Sequence, residues 1–164
     1  MHNCKLRLFR QDDFEDFHAS MSEYDVVKMT GHWPWPPDPA FTRSRMETPH
    51  VNDGRVSVIA RAGRYIGQVS VVDGVLGYML GKPHWGRGIA SWAVGEKLKA
   101  AFSAVDAADI TACVWHGNPA SEAILFKHGF VETGSCEEFC IPRGVTLKNN
   151  TFSLSRAAWG AQNG

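Results

Sequence analysis

The spacing of apolar and polar residues changes several times along the chain, and each change predicts an element. "KLRLF" (5 to 9) sets Leu6 and Leu8 against charged neighbours, the two-residue period of a strand with one buried face. The period then lengthens. Phe14, Phe17, His18 and Met21 share one helical face, and Asp12 with Glu15 three residues on predicts the helix start. His18 on that face reads as a packed side chain. "GHWPWPPDPAF" (31 to 41) interrupts regular structure with its prolines and predicts a stiff aromatic loop, until Asp38 and Pro39 open a short helix.

Three β-rich runs follow at 56–61, 64–72 and 75–80, joined by short glycine-containing turns, which predicts an antiparallel meander. Asp73-Gly74 suits a two-residue hairpin, whose turn positions both take positive φ. After Gly88 the period is helical again, with Ala90, Val94, Leu98, Ala101 and Phe102 on one stripe, ending before position 106. The second half of "DAADITACVW" predicts a buried strand. Asn118 and Pro119 open another helix, and Gly129 closes it as a left-handed residue. A strand from Phe130 and another over "TFSLS" (151 to 155) finish the chain.

The order is β, α, α, β, β, β, α, β, α, β, β, an α+β class with seven strands. One parallel crossover is expected, from the 75–80 strand through the long helix to the strand after Asp109. No repeat or linker interrupts it, so residues 1–164 read as a single domain.

Composition narrows the function classes. Hydrophobic residues make up 44% and charged residues 21%, the balance of a chain that folds around a core. Lys and Arg number 17 and Asp and Glu 17, so no overall positive field draws the protein to a nucleic acid or an anionic membrane. No apolar run approaches the ~20 residues that span a bilayer, and "MHNCKLRLFR" lacks the apolar core of a secretion signal. A cytoplasmic protein is expected. Cys4, Cys113, Cys136 and Cys140 are too irregularly placed for a disulfide framework, which predicts reduced thiols. Cys136 and Cys140 lack a second pair or nearby histidine, so no metal site is expected.

The stretch "GKPHWGRGIASWA" (81 to 93) carries the candidate chemistry. A strand feeding a glycine-rich bend that opens a helix leaves unpaired N–H groups at the positive end of the helix dipole, which suits an anion such as pyrophosphate. A tight turn without a ligand is the competing reading. No Lys-Ser or Lys-Thr follows the glycines, as an NTPase loop requires, and neither the preceding antiparallel strands nor the glycine spacing fits a dinucleotide fingerprint.

Taken together, "GYMLGKPHWGRGIASWA" and "NPASEAILFKHGF" resemble the GNAT N-acetyltransferases, and within them the RimJ/RimL branch, which acetylates ribosomal-protein N-termini. The general signature has Arg or Gln, two residues, Gly, one residue, then Gly or Ala; here the slots hold Trp85, Gly88 and Ala90. Trp85 departs from the signature, but tryptophan before Gly-Arg-Gly is usual in the RimJ/RimL branch. The resemblance implies a mixed, mostly antiparallel seven-stranded sheet flanked by helices and splayed between strands four and five. It also implies acetyl-CoA as donor, its pantetheine arm on main-chain groups of Met79 and Leu80 and its pyrophosphate on the amides of Gly86, Arg87, Gly88, Ile89 and Ala90. Arg87 either adds charge there or is simply solvated.

Asn118 reads as a helix cap and equally as a partner of the pantetheine amides. Ser121 would protonate the leaving thiolate, or make a second cap bond. Strands four and five carry no carboxylate, which leaves Glu138 in "SCEEFC" ahead of His116 as the base that takes the amine proton. His84 and His32 read as loop histidines. Trp33 and Trp35 would wall the acceptor cleft, or form a lid packed on the core. The function implied is an acetyl-CoA-dependent N-acetyltransferase acting on a primary amine, a peptide N-terminus or a small molecule, with a homodimer as the implied assembly. The alternative is a non-catalytic acyl-CoA-binding sensor on the same fold.

Overall fold

The computed structural model describes residues 3–103 and 108–163. The strands are β1 (Cys4–Arg7), β2 (Val56–Arg61), β3 (Arg64–Val72), β4 (Val75–Leu80), β5 (Ile110–Trp115), β6 (Val131–Cys140) and β7 (Val145–Leu154). The helices are α1 (Phe14–Met21), α2 (Tyr24–Val27), α3 (Pro39–Met46), α4 (Pro49–Asn52), α5 (Ile89–Phe102), α6 (Pro119–Lys127) and α7 (Arg156–Asn163). The strands form one sheet in the order β1-β2-β3-β4-β5-β7-β6. Every pairing is antiparallel except β4 with β5, as the single crossover expected.

The β2–β3–β4 meander is the expected one, residue for residue. Asp73 (φ 50°) and Gly74 (φ 78°) are both left-handed, and so are Ala62 (φ 50°) and Gly63 (φ 82°) in the preceding turn. Two left-handed residues match the turn's twist to that of the strands they join. Asp38 accepts from the Ala40 N–H at 2.8 Å and opens α3, with Pro39 in its first turn.

At the start of α1 the carboxylate at work is Asp13, not Asp12. Asp13, only 3% exposed, accepts from the Arg10 N–H at 2.8 Å and takes two hydrogen bonds from Arg7, each 2.6 Å. His18 is a packed side chain, stacked on Phe14 and 2.9 Å from the Thr42 hydroxyl. Helix α5 ends at Phe102, before position 106 as expected, and residues 104–107 lie outside the described residues.

Each sheet face is covered. On one face α5 and α6 pack Ile89, Val94, Leu98 and Leu125 against Val69, Leu76, Leu80, Val114 and Phe152. On the other, Phe17 and Met21 of α1 and Val27 of α2 pack against Val58, Ala60 and Tyr65. Burying each such side chain contributes roughly 1.5–3 kcal/mol. Among the described residues no helix is long and apolar enough to cross a membrane.

Candidate functional site

Strands β4 and β5 pair at a single register position, Val75 with Thr111, where the Thr111 N–H donates to the Gly74 carbonyl at 2.8 Å. Beyond it the strands part, and β4 leaves one edge open. Which groups line that edge follows from the β3 register. The Gly81 N–H donates to the Ile66 carbonyl at 2.9 Å, so Gly67 and Leu80 are a non-hydrogen-bonded pair whose main-chain groups point away from each other. By the same alternation the main chains of Leu76, Tyr78 and Leu80 face the opening. Met79 does not: its main chain is turned to Gln68 of β3, and its side chain packs on the α1 face. The expectation that Met79 offers main-chain groups to a ligand in the opening is therefore corrected to Tyr78. Leu80 faces the opening, though its carbonyl already accepts from the Trp85 indole N–H at 2.6 Å.

The chain leaves β4 through a 3-10 turn, Lys82–His84, into the glycine bend. Gly86 (φ 70°) and Gly88 (φ 72°) are both left-handed, a conformation that costs a residue with a Cβ about 1 kcal/mol or more. The bend therefore favours glycine at both places. The Trp92 N–H donates to the Gly88 carbonyl at 3.0 Å. Among the described residues the main-chain N–H groups of residues 86–91 have no protein acceptor; those of 88–91 are the four that the start of a helix leaves without one. Gly86, Arg87, Gly88, Ile89 and Ala90 thus present free amides at the positive end of a fourteen-residue helix. The Arg87 side chain is exposed. His84, beside the bend, is held below the usual histidine range by burial and then by Arg87 and Arg61, so near neutral pH it adds no charge.

Across the opening lies the first turn of α6. Asn118 caps it, its side-chain oxygen accepting from the Ser121 N–H at 3.2 Å, which leaves the Asn118 amide nitrogen as a donor. The Ser121 hydroxyl makes no hydrogen bond among the described residues. The Ser121 carbonyl accepts from the Tyr78 hydroxyl at 3.1 Å, a tie from β4 to α6 that spans the splay. Burial pushes the Tyr78 phenol up to about 12, so it stays a donor at neutral pH.

The remaining expected residues lie on the α1 side or at its rim. Glu138 of β6 is exposed, and its carboxylate accepts from the Asn149 amide at 2.8 Å. Asn149 is 3% exposed and stands opposite both Trp115 and Cys136 in the register, so it fixes the glutamate from within the sheet. His116, just past β5, is exposed, and its carbonyl accepts from Arg143 at 3.2 Å. The two tryptophans part company. Trp33 is a packing residue, edge-on to Phe17 at 5.3 Å and to Phe41 at 5.0 Å. Trp35 is 40% exposed and rests 5.0 Å from the ring of Tyr24, itself 41% exposed. Tyr24 and Asn149 carried no signal in the sequence because each is placed by neighbours on other elements, Trp35 for the first and Trp115 and Cys136 for the second, which no local pattern encodes. A separate concavity of about 490 Å³, lined by Phe9, Arg10, Arg43, Met46, Glu47 and Val51 among others, contains none of the expected residues.

Comparison with known proteins supplies the family. The model of the acetyltransferase (GNAT) domain matches residues 4–131. The chain belongs to the GNAT acetyltransferase family. An uncharacterized N-acetyltransferase, YoaA of Bacillus subtilis (strain 168), is 30% identical over 79 residues, covering 48% of this chain and 45% of YoaA. The chain thus matches less than half the length of that curated relative.

Among solved structures, the spermidine N-acetyltransferase of Vibrio cholerae in complex with CoA and spermine has a TM-score of 0.76 at 18% identity. It covers 96% of this chain and 98% of its own. RimL, a ribosomal L7/L12 α-N-protein acetyltransferase, has a TM-score of 0.79 at 16% identity, covering 94% of this chain and 91% of its own. At such identities these likenesses establish the fold, a GNAT fold with a seven-stranded mixed sheet.

Proposed function

We propose that residues 1–164 act as one domain that transfers an acetyl group from acetyl-CoA directly to a primary amine, within the RimJ/RimL branch of the GNAT family. The observation that carries the reading is the pairing of free amides at residues 86–90 with an open β4 edge beside them. The amides suit a pyrophosphate, and the edge offers N–H and C=O groups to an extended amide-bearing arm such as pantetheine. Acetyl-CoA would supply a thioester carbonyl carbon to which the amine nitrogen bonds as the carbon–sulfur bond breaks.

In this reading the Tyr78 and Leu80 main chain and the Asn118 amide nitrogen orient the arm, and the Ser121 hydroxyl gives its proton to the departing sulfur. Glu138, steadied by Asn149, takes the amine proton directly or through water. His116 is the second candidate for that task. Direct transfer is favoured over an acetylated cysteine. The Cys113 thiol is pushed up by burial and then by Cys136 and Glu138, which keeps it protonated and weakly nucleophilic. Trp35 with Tyr24 would wall the acceptor. A peptide N-terminus is the acceptor class we favour, supported by "WGRG" in the sequence and the likeness to RimL.

The test is release of free CoA thiol from acetyl-CoA in the presence of a peptide with a free N-terminus, polyamines, aminoglycosides or amino acids. Amine-dependent release fastest with the peptide is expected. CoA binding with no release for any amine would leave the non-catalytic sensor as the function.

A further inference from the structure

The bend between β4 and α5 has two left-handed glycines and little packed against it: a Cβ on Gly86 would meet nothing within 4 Å. A loop of that kind presents a defined row of amides only if both its ends are fixed. Its exit is fixed by Ile89, 2% exposed in the core beneath α5. Its entry has no such plug, because Trp85 is 45% exposed. What fixes the entry is a hydrogen bond. The Trp85 indole N–H reaches back over the 3-10 turn to the Leu80 carbonyl at 2.6 Å, while the turn closes on itself through His84 N–H to Gly81 (2.9 Å) and Trp85 N–H to Lys82 (3.2 Å). Among the described residues this is the one side-chain hydrogen bond joining the segment 85–88 to β4.

We propose that Trp85 is a positioning residue for the donor's pyrophosphate: its indole N–H, anchored on the end of β4, holds the residue 86–90 amides in the geometry that receives the anion. The inference rests on the reading of the bend as a pyrophosphate site. It gives the large exposed ring a role through its nitrogen rather than its area, since preorganising a donor row lowers the cost of ordering it on binding.

The experiment measures equilibrium affinity of wild type, Trp85→Phe and Trp85→Gln for two probes, acetyl-CoA and S-acetylpantetheine, which carries the same arm without the pyrophosphate. Trp85→Phe keeps a ring and loses the donor; Trp85→Gln loses the ring and keeps an N–H. The expected result is a Kd for acetyl-CoA about three- to tenfold higher in Trp85→Phe, the scale of one hydrogen bond. S-acetylpantetheine affinity should stay the same, and Trp85→Gln should recover part of the loss. Equal weakening of both probes, no change for acetyl-CoA, or a Gln variant no better than Phe would overturn the proposal. Should Trp85→Phe not fold, Trp85→Gln alone decides, since a donor-based role requires it to bind acetyl-CoA more nearly like wild type than its S-acetylpantetheine affinity would indicate for a general defect. A wild-type protein that binds no acetyl-CoA at all would refute the proposed function itself, a different outcome from any of these.

Discussion

The two halves of the candidate site are built from different materials. The donor half, from β4 through the bend and α5 to the start of α6, is made of backbone: open strand groups, two left-handed glycines, free amides and an Asn118 cap, contributed by residues 75–90 and 118–121. The acceptor half proposed above would be made of side chains, Tyr24 with Trp35 in the α2–α3 region and Glu138 with Asn149 across the β6–β7 hairpin. Backbone geometry of a short stretch is written locally. Side-chain meetings between separate elements are not. The difference suggests why a common donor can be served by one loop while acceptors differ among proteins of one fold.

If the halves are separate in function, substitutions should sort by which half they touch. The largest effect is expected from Ser121→Ala, at the junction of the two. Loss of one general-acid contribution should lower turnover ten- to a thousandfold, with acetyl-CoA affinity barely changed. Stopped-flow or steady-state rates under chemistry-limited conditions check this, and wild-type turnover would reduce Ser121 to a capping residue. Next is Glu138→Gln, which should lower turnover most at low pH, where the amine is protonated, and progressively less as rising pH frees it. An unaltered pH–rate profile would move the role to His116 or to water.

Trp35→Ala should raise the acceptor Michaelis constant severalfold and leave acetyl-CoA affinity alone, because the ring stands 40% exposed on Tyr24 and not in the core. A lower melting temperature with unchanged kinetics would show that Trp35, like Trp33, is packing. The smallest effect belongs to an ionic link from the α2 region to the turn before the bend. Asp25 accepts from Lys28 at 2.6 Å and from Lys82, beside the bend, at 2.6 Å. Hydrogen bonds from Lys28 and then Lys82 hold the Asp25 carboxyl down at about 2. A folded-state pKa below the unfolded one adds stability above about pH 4, and that stability is lost as pH falls toward 2. The group is exposed, so Asp25→Asn should cost a small amount at neutral pH that vanishes near pH 2, read by thermal melts across that range.

The donor half was legible because its signals lie side by side. Asp73-Gly74, the bend glycines, and Asn118 followed by Pro119 each dictate a local conformation that no distant contact overrides. The β6–β7 hairpin was only partly legible. It pairs over ten residues on each strand, but β6 is the sheet edge and exposed at every position except Cys140, so "VETGSCEEFC" has no reason to alternate apolar with polar. Helix α7 went unseen because tertiary contacts hold its eight residues, with Trp159 stacked on Phe102 at 5.5 Å and Ala158 packed against the same core. The misassigned cap, Asp12 for Asp13, turned on Arg7, whose reach from β1 is a tertiary fact. Trp33 and Trp35 are alike in sequence, two residues apart in one proline-rich loop. Only the packing of Phe17 and Phe41 against the first, and the half-exposed contact of the second with Tyr24, separates them.

The central claim is that the bend receives an anion, and a calorimetric titration of acetyl-CoA into wild type, Gly88→Asn and Gly88→Asp tests it most directly. Both substitutions place a short side chain of nearly the same shape at a left-handed position that Asn and Asp tolerate, so they differ chiefly in charge. The account predicts saturable binding to wild type and affinity for Gly88→Asp at least about tenfold below that for Gly88→Asn, because a carboxylate at the amide row repels the pyrophosphate. Equal affinities in the two folded variants would contradict it.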